Sequence, residues 1–430
     1  MTGSPCDIVQ VRGRRVWDSR GRPTVEVEIH VESGATGRAI APAGASTGSG
    51  EATDLRDGGT AFGGLDVTRA VRNVEQSIAP MLIGRDVRDQ VALDALLVSL
   101  DPSPQRQGLG GNALIAVSMA CANAAANADG RPLWRRLLPA DAEAILPLPE
   151  IQILGGGAHA EGRVDVQDFM VMPVGAGSFA QGLDWTAEIY RAAGARLSRD
   201  GLRQGVADEG GFWPAFETNE AALELLVAAI EDAGRVPGEE VAISLDIAAS
   251  QFGKSGRYRL GLEGRDVDTD GLCAMLVDWI DRYPIASIED PLAEDDHAGM
   301  RRFTDAVRDR VQVVGDDYLV TDAHRTRKAA SDGACTALLV KPNQIGTLSE
   351  AHTALSTAHE VGFGTIVSAR SGESEDVTIA HLAVGWSAGQ LKVGSFARSE
   401  RMAKWNEVLR IEEALGERGT YAGRRPLPGA

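Results

Sequence analysis

The chain has 430 residues, of which 43% are hydrophobic and 24% charged, so it can bury a full core without disulfides. Its formal net charge of −18 argues against nucleic acid and anionic membranes as partners, and an anionic substrate would need a local group of cations or a metal. The four cysteines are scattered and the N-terminus has no apolar signal segment, so we expect a cytoplasmic protein that does not associate with membranes.

Residues 1–140 predict a small α+β domain. Residues 25–31 alternate between apolar and polar side chains, which predicts a half-exposed antiparallel strand, and residues 9–17 and 38–41 can flank it in a meander. Two helices are predicted next. The first has apolar residues at helical spacing and ends before Pro80, and the second is the alanine-rich segment 109–129.

From residue 141 to residue 430, apolar strands alternate with amphipathic helices and no long linker interrupts them. This pattern predicts one closed β/α barrel of the TIM type. Asn219 and Ser349 are the predicted N-caps of two of its helices. The strand candidates are residues 166–174, 241–246, 285–289, 311–316, 337–341, 365–368 and 390–393.

Polar groups recur where these predicted strands end, and parallel barrels bring such positions to one mouth. The series is Asp168, Asp246, Glu289, Asp316, Lys341, Arg370, Ser371 and Lys392. One polar residue at a strand end is usually solvated or caps a helix, but a polar residue at the end of each successive strand indicates an active site. Three carboxylates meeting there would repel one another unless a hard divalent cation lay between them, so we expect Mg²⁺ held by Asp246, Glu289 and Asp316.

The chemistry that this set favours is removal of a proton beside a carboxylate, because cations stabilise the dianion that forms. Lys341 is a candidate base if neighbouring cations lower its pKa, and Lys392 is expected near it. The alternative is that each lysine only pairs with the acidic cluster. Arg370 and Ser371 offer a guanidinium and a hydroxyl suited to phosphate.

Two glycine-rich segments also carry chemical groups. Asp208-Glu209-Gly210-Gly211 is either a plain turn or, at a barrel mouth, a source of a carboxyl group for acid–base work. His159 follows the run 155–157 of three glycines, whose backbone permits close approach to a ligand. A lone histidine is more often structural, and that interpretation stays open here.

Several longer motifs occur along nearly the whole chain, and with them the sequence resembles the enolase (phosphopyruvate hydratase) family. The resemblance implies a modified β/α barrel behind an α+β domain, usually in a homodimer or higher homo-oligomer, and a small anionic phospho-acid substrate. The motifs are Asp18-Ser19-Arg20-Gly21, Gly44-Ala45-Ser46-Thr47-Gly48, Asp208-Glu209-Gly210-Gly211, Ser287-Ile288-Glu289-Asp290-Pro291, Lys341-Pro342-Asn343-Gln344-Ile345-Gly346-Thr347 and Ala397-Arg398-Ser399-Glu400-Arg401.

The resemblance also implies roles. Lys341 would take the C2 proton of 2-phosphoglycerate, and Lys392 would hold the substrate carboxylate. Ser46, on a mobile loop, would help to hold a second Mg²⁺ and close the site over the substrate. Of the other predicted residues, Asp246, Glu289 and Asp316 would bind the first Mg²⁺, Arg370 and Ser371 the phosphate, and Glu209 would help the C3 hydroxyl to leave, with His159 and Asp168 beside it.

Three positions depart from the family pattern. Asp168 stands where the family has Glu, Ala369 where it has His, and Gly155 where it has Asn. By the resemblance these changes lie on the leaving-hydroxyl side, with Glu209 and His159. The shorter Asp168 is expected to lose a direct hydrogen bond and Ala369 removes a donor, and one lost contact of this kind costs about 10²–10³ in rate.

These departures leave three hypotheses. The first is an enolase that dehydrates 2-phosphoglycerate. The second is a paralogue of secondary metabolism, such as an enolase-like carboxyphosphonoenolpyruvate synthase, which uses a related phospho- or phosphono-acid and places a larger group in the vacated space. The third is an inactive binding protein, which the retained lysines Lys341 and Lys392 and the three metal carboxylates disfavour.

Overall fold

The computed structural model describes residues 4–45 and 47–429. An antiparallel meander opens the chain, with strands β1 (Ile8–Trp17), β2 (Pro23–Val31) and β3 (Thr36–Ile40) in that order. The predicted meander is confirmed, but the predicted half-exposure of β2 is wrong. Glu26 is only 3% exposed, because it forms ion pairs with Arg14 and Arg38 instead of facing water.

Helices follow this sheet, and the alanine-rich one packs against β2 and β3. They are α1 (Thr68–Asn73), a π-helical turn (Val74–Ile78), α2 (Ala79–Leu82), α3 (Gln90–Leu100), α4 (Gly111–Ala128) and α5 (Leu133–Leu137). The alanine-rich helix α4 is confirmed. The helix predicted to end before Pro80 instead continues as α2, because Pro80 lies in its first turn, where the missing N–H is not needed.

The rest of the chain supplies most of the strands and larger helices. The strands are β4 (Ile145–Leu146), β5 (Leu148–Gly155), β6 (Asp168–Met172), β7 (Arg203–Val206), β8 (Phe212–Pro214), β9 (Ala242–Asp246), β10 (Gly253–Lys254), β11 (Arg257–Leu260), β12 (Arg265–Asp268), β13 (Ile285–Glu289), β14 (Gln312–Gly315), β15 (Ala337–Val340), β16 (Gly364–Ser368), β17 (Gly389–Ser395) and β18 (Thr420–Tyr421). The helices are α6 (Phe179–Arg199), α7 (Glu220–Asp232), α8 (Thr269–Arg282), α9 (His297–Val307), α10 (Ala323–Asp332), α11 (Pro342–Ile345), α12 (Leu348–Glu360), α13 (Thr378–Gly385) and α14 (Ser399–Leu415).

Within the described residues, eight of these strands close into a barrel in the order β5-β6-β9-β13-β14-β15-β16-β17, completed by pairing of β17 with β5. The predicted α/β barrel is therefore confirmed. Strand β6 runs antiparallel to both of its neighbours, β5 and β9. Asp168 consequently begins its strand, whereas we predicted that it ends one, and the reversal brings it to the same mouth as Asp246, its partner across the ladder.

Contacts between α3 and α12 join the first region to the barrel and explain why one predicted cap is wrong. Ser349 does not cap α12, because its hydroxyl donates to Asp94 on α3. Thr347 caps this helix instead, accepting the N–H of Glu350. The side chain of Asn219 likewise makes no capping bond to α7 and donates to Asp165. Among the helices in residues 4–45 and 47–429, none has the length and apolar character needed to cross a bilayer.

Candidate active site

The barrel mouth gathers most of the predicted polar residues in one buried cluster. Asp246 and Glu289 are the last residues of β9 and β13, Asp316 and Lys341 directly follow β14 and β15, and Lys392 lies within β17. All five are at least nine-tenths buried. Neighbouring parallel strands therefore deliver three acids and two lysines to one side of the mouth.

Lys392 lies between two of the carboxylates. Its Nζ is 2.8 Å from Asp246 Oδ2 and 2.8 Å from Glu289 Oε2. Burial alone would lower the pKa of Lys392, but attraction to Asp246 and Glu289 outweighs burial and raises this pKa well above its usual value. Asp246 and Glu289 thus converge on one point that favours a positive charge.

Lys341 forms an ion pair with Asp316. Burial would lower the pKa of Lys341, and Arg370 acts in the same direction, but Asp316 outweighs them and raises it. The lowered pKa that we predicted for Lys341 depends on neighbouring cations including Mg²⁺, so it stays a prediction for the metal-bound protein. The same pair lowers the pKa of Asp316, although burial opposes that shift.

The carboxylates fit a hard divalent cation by their chemistry. Glu289 Oε1 is buried and has no hydrogen-bond partner, and burial together with repulsion from Asp246 raises the pKa of Glu289 well above its usual value. An added cation would satisfy that oxygen and relieve the repulsion, and carboxylate oxygens are the ligands that Mg²⁺ prefers. Ser46, the fourth predicted ligand, lies outside the described residues.

Among the described residues, two groups bring possible ligand atoms within 4.8 Å of one another, and neither contains Asp246, Glu289 and Asp316 together. One of them consists of Asp290, Asp316 and Asp317. The carboxylate of Asp290 already accepts the backbone N–H groups of Asp316 (3.0 Å) and Asp317 (2.7 Å). Its role is therefore to hold the turn after β14, which orients Asp316 toward the mouth.

The predicted phosphate clamp is buried and includes a residue that we did not predict. Arg370 Nη1 donates to Glu51 Oε2 at 2.9 Å and to Asn343 at 3.2 Å, and its Nη2 donates to Glu51 Oε1 at 3.2 Å. Glu51 also accepts the N–H of Gly48 at 3.0 Å. Its carboxylate thereby connects the segment of the Gly44-Ala45-Ser46-Thr47-Gly48 motif to the guanidinium.

Ser371 is the other half of this clamp. Its hydroxyl accepts from Arg20 at 3.3 Å, and Arg401 donates to the carbonyl oxygens of Arg370 and Ser371. Arg401 is completely buried, so it holds the backbone of the clamp from behind. Two motifs from opposite ends of the sequence therefore meet at Ser371.

The second group is the row Asp168–His159–Glu209, which begins beside the first cluster, because Asp168 is the ladder partner of Asp246 and lies 3.5 Å from Lys392 Nζ. His159 Nδ1 lies 3.3 Å from Asp168 Oδ1, and its Nε2 lies 3.8 Å from Glu209 Oε1. Burial would lower the pKa of His159, but Glu209 and Asp168 outweigh burial and raise it. The pKa of Asp168 is lowered, because His159 and Lys392 outweigh its burial. This row can orient an imidazole and supply a proton.

A small cavity of about 20 Å³ lies at the mouth. It brings the predicted base together with the residues of the leaving-hydroxyl side, and two of the three departures from the family pattern line it. Six of its lining residues are His159, Asp168, Glu209, Lys341, Ala369 and Lys392. A small acid placed there would touch both sides at once.

Our sequence reasoning missed the amides that organise these groups. Gln167 donates to Asp246 at 2.8 Å, Gln344 donates to Asp316 at 2.9 Å, and Gln152 donates to Asp168. Gln344 stands inside a quoted motif and Gln167 directly precedes the predicted Asp168, so both positions were a usable signal. Gln152 lies in β5 between two buried isoleucines, where a buried amide needs polar partners.

Comparisons with known proteins agree with this architecture. The family model described as "Enolase, N-terminal domain" matches residues 8–137, and "Enolase, C-terminal TIM barrel domain" matches residues 143–427. The enolases of Tropheryma whipplei strains Twist and TW08/27 are each 48% identical to this chain over 425 residues. The alignment covers 98% of this chain and 99% of each relative.

Proposed function

This chain belongs to the enolase family and is an enolase-type lyase, and from that premise we propose that it removes the C2 proton of 2-phosphoglycerate and eliminates water to give phosphoenolpyruvate, with Mg²⁺ as its cofactor. The observation that carries this proposal is the position of Lys392 Nζ, 2.8 Å from both Asp246 and Glu289. The ammonium of Lys392 marks a point between two acids that favours positive charge, and Lys341 lies in the same cluster. Positive charge held there is suited to stabilise a dianion that forms next to Lys341.

Asp246, Glu289 and Asp316 would hold the metal, and Ser46 would help to hold a second ion. When bound, Mg²⁺ supplies positive charge that stabilises the carboxylate of the substrate as its C2 proton is lost. Ion binding would also weaken the hold of Asp316 on Lys341, whose pKa this carboxylate now raises. Lys341 would then act as the base at C2, and Lys392 would turn toward the substrate carboxylate.

Arg370 and Ser371 would bind the phosphate. Both are buried, and Arg401 fixes their backbone, so the clamp is held in place before substrate arrives. Arg370 already holds an anion, the carboxylate of Glu51. That contact supports an anion-binding role for this guanidinium, whose fork suits phosphate as well as carboxylate.

On the opposite side, the row of His159 between Asp168 and Glu209 would assist the leaving hydroxyl. Glu209 would donate a proton as the C–O bond at C3 breaks. His159, whose pKa the two carboxylates raise against its burial, would support this transfer and contact the substrate. Asp168 would orient the imidazole through Nδ1.

A second candidate function keeps C2 proton removal but uses a related phospho- or phosphono-acid, as an enolase-like carboxyphosphonoenolpyruvate synthase would. The observation in its favour is Ala369, which lines the cavity with a methyl group beside Lys392 and Arg370. Alanine at this position removes the volume that the histidine of the family pattern would occupy, and this second function would place a larger substituent there. We rank it second, because Asp168 keeps contacts to His159 and Gln152.

The experiment is an assay for phosphoenolpyruvate formation from 2-phosphoglycerate, with Mg²⁺ and with a chelator. Metal-dependent product supports the first function. A rate equal to that of buffer, together with exchange of the C2 proton into heavy water, favours the second. Absence of exchange together with calorimetry showing no Mg²⁺-dependent binding of any phospho-acid would indicate an inactive binding protein.

We also propose a cytoplasmic homodimer or higher homo-oligomer. Family membership supports the assembly, and the net charge of −18 fits a protein with neither nucleic acid nor membrane as a partner. Sedimentation equilibrium across a range of concentrations tests the assembly, and a single species at the 45.4 kDa of one chain would contradict it.

A further inference from the structure

The departures from the family pattern are not scattered in space. Gly155 and Asp168 are paired residues across the β5–β6 ladder, so two of the three changed positions face each other. A third residue, Gln152, lies on β5 beside them and is fully buried. The position, length and contacts of this glutamine carry the inference.

Gln152 uses both ends of its amide. Its Nε2 donates to Asp168 Oδ1, the same oxygen that faces His159 Nδ1 at 3.3 Å. Its Oε1 accepts the backbone N–H of Gly211 at 2.8 Å, two residues after Glu209. The amide orientation follows from chemistry, since the ionised Asp168 accepts hydrogen bonds and a backbone N–H donates one. One side chain therefore connects the carboxylate behind His159 to the turn that carries Glu209.

The backbone around Gln152 leaves room for its full length. A Cβ atom on Gly155 would lie 2.5 Å from the Cβ of Ala207 and 3.3 Å from Gln152 Nε2. A Cβ atom on Gly211 would lie 2.4 Å from Gln152 Oε1. Glycine at both positions, together with the short side chain of Asp168, is what allows the long amide to reach across.

We infer that Gln152 is a positioning residue for the leaving-hydroxyl side, and that it compensates for the shortened Asp168. The long side chain of Gln152 reaches the short carboxylate of Asp168 and keeps it fixed against His159, while the other end of the amide fixes the turn of Glu209. Gly155, which has no side chain, leaves the space that Gln152 needs. This inference rests on the proposed function for its catalytic consequence, but its geometric content is independent of the reaction.

The test shortens the side chain at position 152 and lengthens the one at position 168, first separately and then together. Gln152→Asn should open a gap and Asp168→Glu should crowd the buried pair, and each should lower kcat by about 10–100-fold with KM within about threefold, since remote groups bind the phosphate. The double variant Gln152→Asn with Asp168→Glu restores the summed length. We expect its kcat within about fivefold of the natural protein.

Gln312→Asn is the matched control. Gln312 is a buried barrel glutamine that exchanges hydrogen bonds with Gln390, away from the cavity. Shortening it removes the same methylene, so it should lower the melting temperature without changing kcat. If Gln312→Asn lowered kcat as much as Gln152→Asn, the effect would be general loss of packing and the positioning role would be overturned.

A second readout does not depend on activity. The ¹⁵N chemical shifts of the His159 ring report its tautomer and hydrogen bonds, because Nδ1 faces the carboxylate that Gln152 holds. They should move in Gln152→Asn and return in the double variant. Unchanged shifts in Gln152→Asn, or a double variant no better than the worse single variant in both readouts, would overturn the inference. Restored shifts in a protein without dehydratase activity would uphold it while rejecting the proposed function.

Discussion

The two sides of the active-site mouth differ in how they satisfy their charges. On the side of Asp246, Glu289 and Asp316, two lysines pair with three carboxylates, and the buried Glu289 Oε1 has no hydrogen-bond partner among the described residues and is free to take an added cation. On the side of Asp168 and Glu209, one imidazole lies between two carboxylates, and Lys392 approaches Asp168 Oδ2 at 3.5 Å without forming a hydrogen bond. The first side keeps the family's residues and the second departs from them.

The first side therefore determines the class of reaction, and the second side determines which group leaves. Proton removal beside a carboxylate depends on charge, which few substitutions can imitate, whereas departure of a C3 substituent depends on shape and on proton donors. We therefore expect variants on the two sides to affect different observables.

Lys341→Ala should have the largest effect, because it removes the base. We expect phosphoenolpyruvate formation to fall by about 10³–10⁴-fold, with loss of C2 proton exchange into heavy water followed by NMR. Lys328→Ala is the control, since Lys328 is exposed and forms a surface ion pair with Asp332. Persistent C2 exchange in Lys341→Ala would mean that another group takes the proton.

Glu289→Gln should separate metal binding from folding. The change removes one buried negative charge next to Asp246, so the metal-free protein should melt no lower than the natural protein, while Mg²⁺ affinity falls by about 10²-fold. Titration calorimetry and thermal unfolding measure the two quantities. Glu209→Gln, on the other side of the mouth, should leave Mg²⁺ affinity unchanged. Equal losses of Mg²⁺ affinity in the two variants would show that the two sides of the mouth do not differ in metal binding.

Ala369→His should act on the leaving group alone. A donor restored there is expected to raise elimination by up to about tenfold relative to C2 exchange, which should not change. Adding Asp168→Glu should help only when Gln152→Asn is also present, because Gln152 occupies the space that a longer carboxylate needs. A parallel rise in elimination and C2 exchange would show that Ala369 affects both steps.

The smallest effect concerns pH. The folded protein raises the pKa of His159 above the unfolded value of about 6.5, because Glu209 and Asp168 outweigh burial. The stability that this charge contributes is therefore fully present below that unfolded value and is lost as pH rises through the folded pKa. Denaturant unfolding should show that His159→Gln loses more stability at about pH 6 than at about pH 9. A loss independent of pH would mean that the imidazole is held neutral.

The sequence predicted the barrel and the meeting of its charged residues because strand periodicity and strand-end position are local signals. The sequence-based predictions were wrong where contacts between residues far apart in the chain determine the conformation. The reversal of β6 depends on its neighbours β5 and β9, Glu26 is buried because distant arginines pair with it, and the hydroxyl of Ser349 turns to Asp94 on another helix. Gln152 and Glu51 were missed for the same reason, since their partners lie far along the chain.

The reversal of β6 also determines how the two sides are encoded along the gene. Because β5 and β6 form an antiparallel hairpin, Gln152, Gly155, His159 and Asp168 all lie within one short contiguous segment. The residues that we assign to the metal, the base and the substrate carboxylate are instead spread over five barrel strands or their ends, from Asp246 to Lys392. A few neighbouring codon changes, or exchange of this one hairpin between relatives, can therefore alter these four residues without touching the proton-abstraction side. Glu209 and Ala369, which complete the leaving-group side, come from other parts of the barrel.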